Sequence, residues 1–250
     1  MNEVLKTLYE RKSVRVFEER PVSCEDKEAI LLAAMAAPTA GNQQLYTILD
    51  ITDRALLKEL SVTCDNQPFI AAAPMALIFC ADAQKWYDAY KAGGCDPRKP
   101  GPGDLLLAVS DACIAAQNAV TAAQSLGIGS CYIGDIMERC EDHRRMLNLP
   151  AYVFPAAMLV FGYPAEQQLS RVKPDRCELK YIVHENRYRV MDKEELSDML
   201  QKGRDGRNFE EWIQAFCKRK YNSDFSVEMS RSAAEYLASF GMVGDKVSDH

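Results

Sequence analysis

Histidine and tryptophan are scarce, 3 and 2 in 250 residues. His143, His184 and His250 stand in no metal-ligand spacing such as H-E-x-x-H. The 9 cysteines contain no C-x-x-C pair, which removes the main sequence support for a zinc or iron–sulfur site. G-x-S-x-G and a P-loop are also absent, so the sequence offers neither a serine-hydrolase elbow nor a Walker phosphate loop. With 13 Gly and 11 Pro, the chain is neither collagen-like nor of disordered composition. No uncharged apolar run reaches the roughly 20 residues that span a bilayer. The best candidate, Leu105 to Ile128, is interrupted by Ser110, Asp111, Gln117, Asn118 and Gln124, and predicts a buried helix. Residues 1–10 carry Glu3 and Lys6 and no secretory h-region, so the expectation is a cytoplasmic protein with reduced thiols.

What is present is ordinary globular composition: 48% hydrophobic, 26% charged, net charge −6. The acidic balance argues against a general nucleic-acid or anionic-membrane binder. A phosphate ligand, if there is one, must be held by a local cluster of cations.

Ser23 ahead of an acidic turn and the set Ile30, Leu31, Ala34, Met35 predicts a capped helix that stops before Pro38. A polar loop, Pro38 to Gln44, leads to a strand over 46–51, a short helix over 54–61 and a buried strand over 74–80. The Gly- and Pro-punctuated stretch Gly93 to Gly103 reads as an excursion and a candidate lid. Asp104 is expected to cap a central helix running to Leu126, with Gly127 as its stop. Strands over 130–134 and 156–161 flank a helix from Ile136 to about Leu147, with Asp135 as its cap. Helices are expected over 193–201, 209–219 and 227–240, the last with Met229, Ala233, Tyr236, Leu237 and Phe240 on one apolar stripe. The pattern is α+β.

Arg11, Ser13 and Arg15 alternate, so in an extended segment they share one face and form a cradle suited to phosphate. A solvated strand edge explains the same triad, and the motif alone does not choose between the two. Gly127-Ile128-Gly129 follows a helix and precedes a strand, the reverse of a dinucleotide fingerprint.

Taken in order, Arg11-Lys12-Ser13-Val14-Arg15, Pro38-Thr39-Ala40-Gly41-Asn42-Gln43-Gln44, Gln67, Gly127 to Gly134, Phe161-Gly162-Tyr163-Pro164, Arg176 and Val183-His184-Glu185-Asn186-Arg187-Tyr188 resemble the FMN-dependent nitroreductase family. Within it, the chain is most similar to the NADPH-dependent nitro/flavin reductase branch. The resemblance spans nearly the whole chain. It implies a single domain over 1–250 with 189–250 as a helical C-terminal extension, an α+β fold with a mixed sheet flanked by helices, and an entwined homodimer with FMN at sites made by both subunits. It also implies that Arg11, Ser13, Arg15 and Arg176 hold the FMN phosphate, with Lys12 among the cofactor-binding residues. Pro38, Thr39, Asn42 and Gln67 would lie along the ribityl chain and ring, and Tyr132, Ile133 and Gly134 at the ring face and edge. Asp135 stands where the family commonly has glycine.

The activity so implied is ping-pong electron transfer from NADPH or NADH to nitroaromatics, quinones or free flavins, with the flavin and no dedicated acid or base carrying the chemistry. Lys202, Arg204 and Arg207 are the expected readers of a nicotinamide 2′-phosphate. The alternative is a non-catalytic FMN-binding sensor or carrier of the same fold. Small molecules and a second copy of the chain are the expected partners; nucleic acid and membrane are not.

Overall fold

The structure is a computed structural model, and it describes residues 1–241. Along the chain come α1 (Glu3–Glu10), α2 (Cys24–Met35), β1 (Tyr46–Asp50), α3 (Arg54–Thr63), α4 (Pro68–Ala72) and β2 (Met75–Asp82). Next are α5 (Gln84–Ala92), α6 (Pro102–Ser125), β3 (Gly129–Ile133), α7 (Cys140–Leu147), β4 (Val153–Gly162) and α8 (Glu166–Leu169). Last come α9 (Lys193–Met199), α10 (Gln201–Arg204), α11 (Phe209–Lys220) and α12 (Asp224–Ala238). The described residues divide into two units: 1–171 with 228–241, and 172–227.

The sheet of the first unit has the order β1-β2-β4-β3, antiparallel at every ladder, and the bridge Ser13↔Ser130 adds one parallel pairing. β2 is buried along its whole length because both of its faces are covered. Met75, Leu77, Phe79 and Ala81 join a core with α2 and α6, while Ala76, Ile78 and Cys80 join a second core with Leu57 and Leu60 of α3. The result is a sheet between helical layers, which is the expected α+β arrangement. On α12, Tyr236 is buried in the first core, and Phe240 just beyond the helix joins it.

Two predicted caps fall elsewhere. Gly101 is the N-cap of α6, and Asp104 sits three residues in, where its carboxyl accepts from the Gly101 amide at 2.7 Å and pairs with Arg98. Asp135 caps no α-helix. The chain leaves β3 through a 3-10 turn over Gly134–Met137, and the left-handed Arg139 at φ 48° separates that turn from α7. The single helix expected from Ile136 is therefore split. His250 lies outside the described residues.

Gly129 and Gly162 pair across β3 and β4. A Cβ on Gly129 would lie 2.6 Å from Val14 Cγ2, and one on Gly162 would lie 2.8 Å from Phe17 Cδ1. The two glycines let the segment carrying Arg11, Ser13 and Arg15 cross against the sheet, and that crossing places the site.

Candidate functional site

The crossing segment is tied down by the Val14 amide, which donates to the Ser130 carbonyl at 2.9 Å. Val14 is buried, so its neighbours turn the other way. Arg11, Ser13 and Arg15 all act on the buried Cys131 thiol, whose pKa burial raises and their charges and hydrogen bonds pull down. They therefore converge over β3. The Arg11 charge also favours ionisation of the Tyr132 phenol, which desolvation of the hydroxyl nonetheless pushes up to about 12.

Arg11 Nη1 is buried and finds no hydrogen-bond partner among the described residues. A guanidinium donor held out of water without an acceptor carries a free-energy cost that an anion would remove. The orphaned donor, the Ser13 hydroxyl and the Arg15 fork together fit the phosphate of FMN. Arg15 lies 5.9 Å over the Phe69 ring. Lys12 points away from this face; its ammonium donates to the Leu169 and Arg171 carbonyls and anchors the chain after α8.

The loop after α2 is built by three left-handed residues, Gly41, Asn42 and Gln44. Asp111 of α6, only 3% exposed, holds it: its carboxyl oxygens accept from the Thr39 hydroxyl, from the Ala40 amide at 3.3 Å and from the Leu45 amide at 3.2 Å. Thr39 Oγ1 in turn accepts from the Gln44 amide at 2.7 Å. Asn42 and Pro38 are left at the surface. Sequence reasoning passed over Asp111, although an acid inside an alanine-rich buried helix was the available signal.

Gln67 caps the N-terminus of α4, after the left-handed pair Asp65 and Asn66. Its Nε2 donates to the Cys64 carbonyl and to Asp135 Oδ2, each at 2.8 Å. At the end of β3, Tyr132 is exposed, the Ile133 side chain is buried in the second core, and Gly134 is exposed with room around it. Any ligand contact at Ile133 is thus through its backbone. The first unit carries all the residues expected at FMN except Arg176, which is exposed and lies in the second unit, as do Lys202, Arg204 and Arg207.

In the second unit, Arg204 and Arg207 close one turn. Arg207 Nε donates to the Arg204 carbonyl at 2.8 Å and Arg204 Nη1 to the Arg207 carbonyl at 3.2 Å, while Arg204 Nε is buried without a partner among the described residues. They line a cavity of about 530 Å³ with Lys193 and Asn208 and with the carboxylates of Glu194, Asp198 and Glu210; Lys202 is outside its lining.

The sheet and crossing segment lie in the part of the chain, residues 8–163, that matches the Nitroreductase family, and the chain belongs to that family. It is 31% identical to the Cr(VI) reductase of Pseudomonas sp. (strain G-1), over 95% of this chain and 98% of that one. It is 35% identical to the oxygen-insensitive NADPH nitroreductase of Salmonella typhimurium, over 79% of each. Among solved structures, the NADPH:FMN oxidoreductase from Vibrio harveyi complexed with NAD+ superposes with a TM-score of 0.82 at 25% identity, covering 96% of this chain and 98% of that one.

Proposed function

We propose that this protein is an FMN-dependent oxidoreductase that passes electrons from NADPH or NADH to nitroaromatics, quinones or free flavins. The buried, unpartnered Arg11 donor beside Ser13 and Arg15 carries the reading, because an anion such as the FMN phosphate would satisfy it. Relatives named as FMN reductases and an NADPH nitroreductase support it.

FMN, when bound, would supply the two-electron redox chemistry between the reduced nicotinamide and the acceptor. The chain's own work is to bind and orient. Arg11, Ser13 and Arg15 hold the phosphate; the Thr39–Asn42 loop and Gln67 set the ribityl chain and ring; the backbone at Tyr132, Ile133 and Gly134 lines the ring edge. Arg204, Arg207 and Lys202 read the 2′-phosphate of NADPH.

A homodimer is part of the reading. α1 packs beside α6, and the two helices expose Val4, Leu5, Leu106, Leu107 and Ile114, an aliphatic surface suited to a second copy. All nine cysteines are free thiols, which suits work in the cytoplasm.

The test is the visible spectrum of the purified protein, titrated anaerobically with NADPH and then NADH. A bound-flavin spectrum that NADPH bleaches rapidly is expected; a flavin that neither reduces leaves the sensor reading, and no uptake of FMN overturns the site. Replacing Arg11 with Ala is expected to weaken FMN about tenfold, the scale of one charge-assisted hydrogen bond, read by fluorescence titration of the flavin-free protein.

A further inference from the structure

The Gln67 amide is locked. A primary amide has two N–H donors and one carbonyl acceptor. Both donors are in use, one on the Cys64 carbonyl and one on Asp135 Oδ2, each at 2.8 Å. Flipping the amide would place its oxygen against two acceptors, so the orientation is fixed by its partners. Toward a ligand, Gln67 is left with Oε1 alone.

We propose that Asp135 is a positioning residue that makes Gln67 an obligate acceptor, and that Gln67 thereby selects the N3–H of the oxidised flavin ring. This rests on the FMN reading above. Ribityl hydroxyls turn to donate or accept and place no demand on an amide's orientation. The ring N3–H can only donate, and it is the donor-only group of the oxidised ring, so a fixed acceptor matches it. The carboxyl that fixes Gln67 is at the position where a glycine would leave the amide free to turn.

Asp135 is itself held. It lies in the 3-10 turn that leaves β3, and its carboxyl is faced by that of Glu138, which is 5% exposed and hydrogen-bonds to it when protonated. Gln67 is held from the other side through its backbone amide, which donates to the Ser61 carbonyl at 2.8 Å.

The experiment compares FMN with N3-methyl-FMN on flavin-stripped protein, for the wild type, Asp135→Ala and Asp135→Asn. The wild type is expected to prefer FMN roughly tenfold, the effect of leaving one buried acceptor unpaired. Asp135→Ala should bring the two flavins within about twofold, and Asp135→Asn, whose Oδ1 still accepts from Nε2, should restore the preference. An equal preference in wild type and Asp135→Ala would mean the methyl group merely clashes, and overturns the proposal; so does a wild type that does not discriminate.

A flavin-independent measurement separates the lock from the cofactor. In ¹⁵N spectra of the flavin-free protein, the Gln67 side-chain protons should exchange about tenfold faster in Asp135→Ala than in the wild type. Fast exchange in the wild type overturns the lock even if FMN binds. Protection without any uptake of FMN refutes the cofactor reading and, with it, the selection of N3–H.

Discussion

Asp111→Ala should unfold at markedly lower denaturant, losing about 3 kcal/mol or more. The residue is buried on α6, and the loop it holds lies far away in sequence, so the loss is tertiary. Removing the carboxyl leaves the Ala40 and Leu45 amides and the Thr39 hydroxyl without their acceptor, in a place where water has little access. The methyl group of Ala also leaves space against Leu45. For a chain of this size, such a loss corresponds to roughly 6–12 °C in Tm. Asp111→Asn retains one acceptor oxygen and should lose about half as much. Urea unfolding gives the free energies, and amide exchange at Ala40 and Leu45 shows whether the loop is what came loose. A cost below about 1 kcal/mol, typical of a surface site, would remove Asp111 from the account of how the loop is held.

The second large effect is a pH dependence that one substitution abolishes. Glu138 is buried, and burial pushes its carboxyl from 4.5 up to about 7, with Asp135, Asp65 and Glu228 adding like charge. Arg139, next in sequence, pairs with Asp142 at 2.8 Å, and the buried Cys64 and His143 lie on the same side. Because the folded protein holds this proton more tightly than the unfolded chain, stability falls as pH rises from about 4.5 and levels off above about 7. At ~1.4 kcal/mol per tenfold change in proton affinity, the ceiling is about 3 kcal/mol, and relaxation brings the expected change to about 2. Glu138→Gln keeps a donor for Asp135 and carries no charge. It should match the wild type near pH 4.5 and exceed it by about 2 kcal/mol at pH 8, or roughly 4–8 °C in Tm. Parallel melting curves from pH 4.5 to 8 would refute this origin for the pH dependence.

Legibility in the sequence followed the range of the forces involved. α2 was readable because Ser23 caps it within three residues, the side chain accepting from the Asp26 amide. β2 was readable because a strand covered on both faces must be apolar throughout. α5 was not: Ala83 at its N-cap makes no side-chain bond, and its aromatic run suits a strand as well as a helix. Asp104 and Asp135 looked like caps because an acid before an apolar periodic segment is the usual signal, but one serves three residues inside its helix and the other serves Gln67. In the site, the alternation of Arg11, Ser13 and Arg15 was legible as geometry, whereas the roles of Asp111 and Glu138 depend on residues brought to them only by folding.

The order β1-β2-β4-β3 leaves β3 as the last strand of the sheet, with the Ser13↔Ser130 bridge lying over its outer rim. The arginine-bearing segment is thus also a cover for backbone donors and acceptors that would otherwise template pairing with another chain. Trimming the first fifteen residues would uncover Gly129–Ile133 as an open edge, so aggregation, rather than quiet loss of one ligand, is the failure that such a truncation invites.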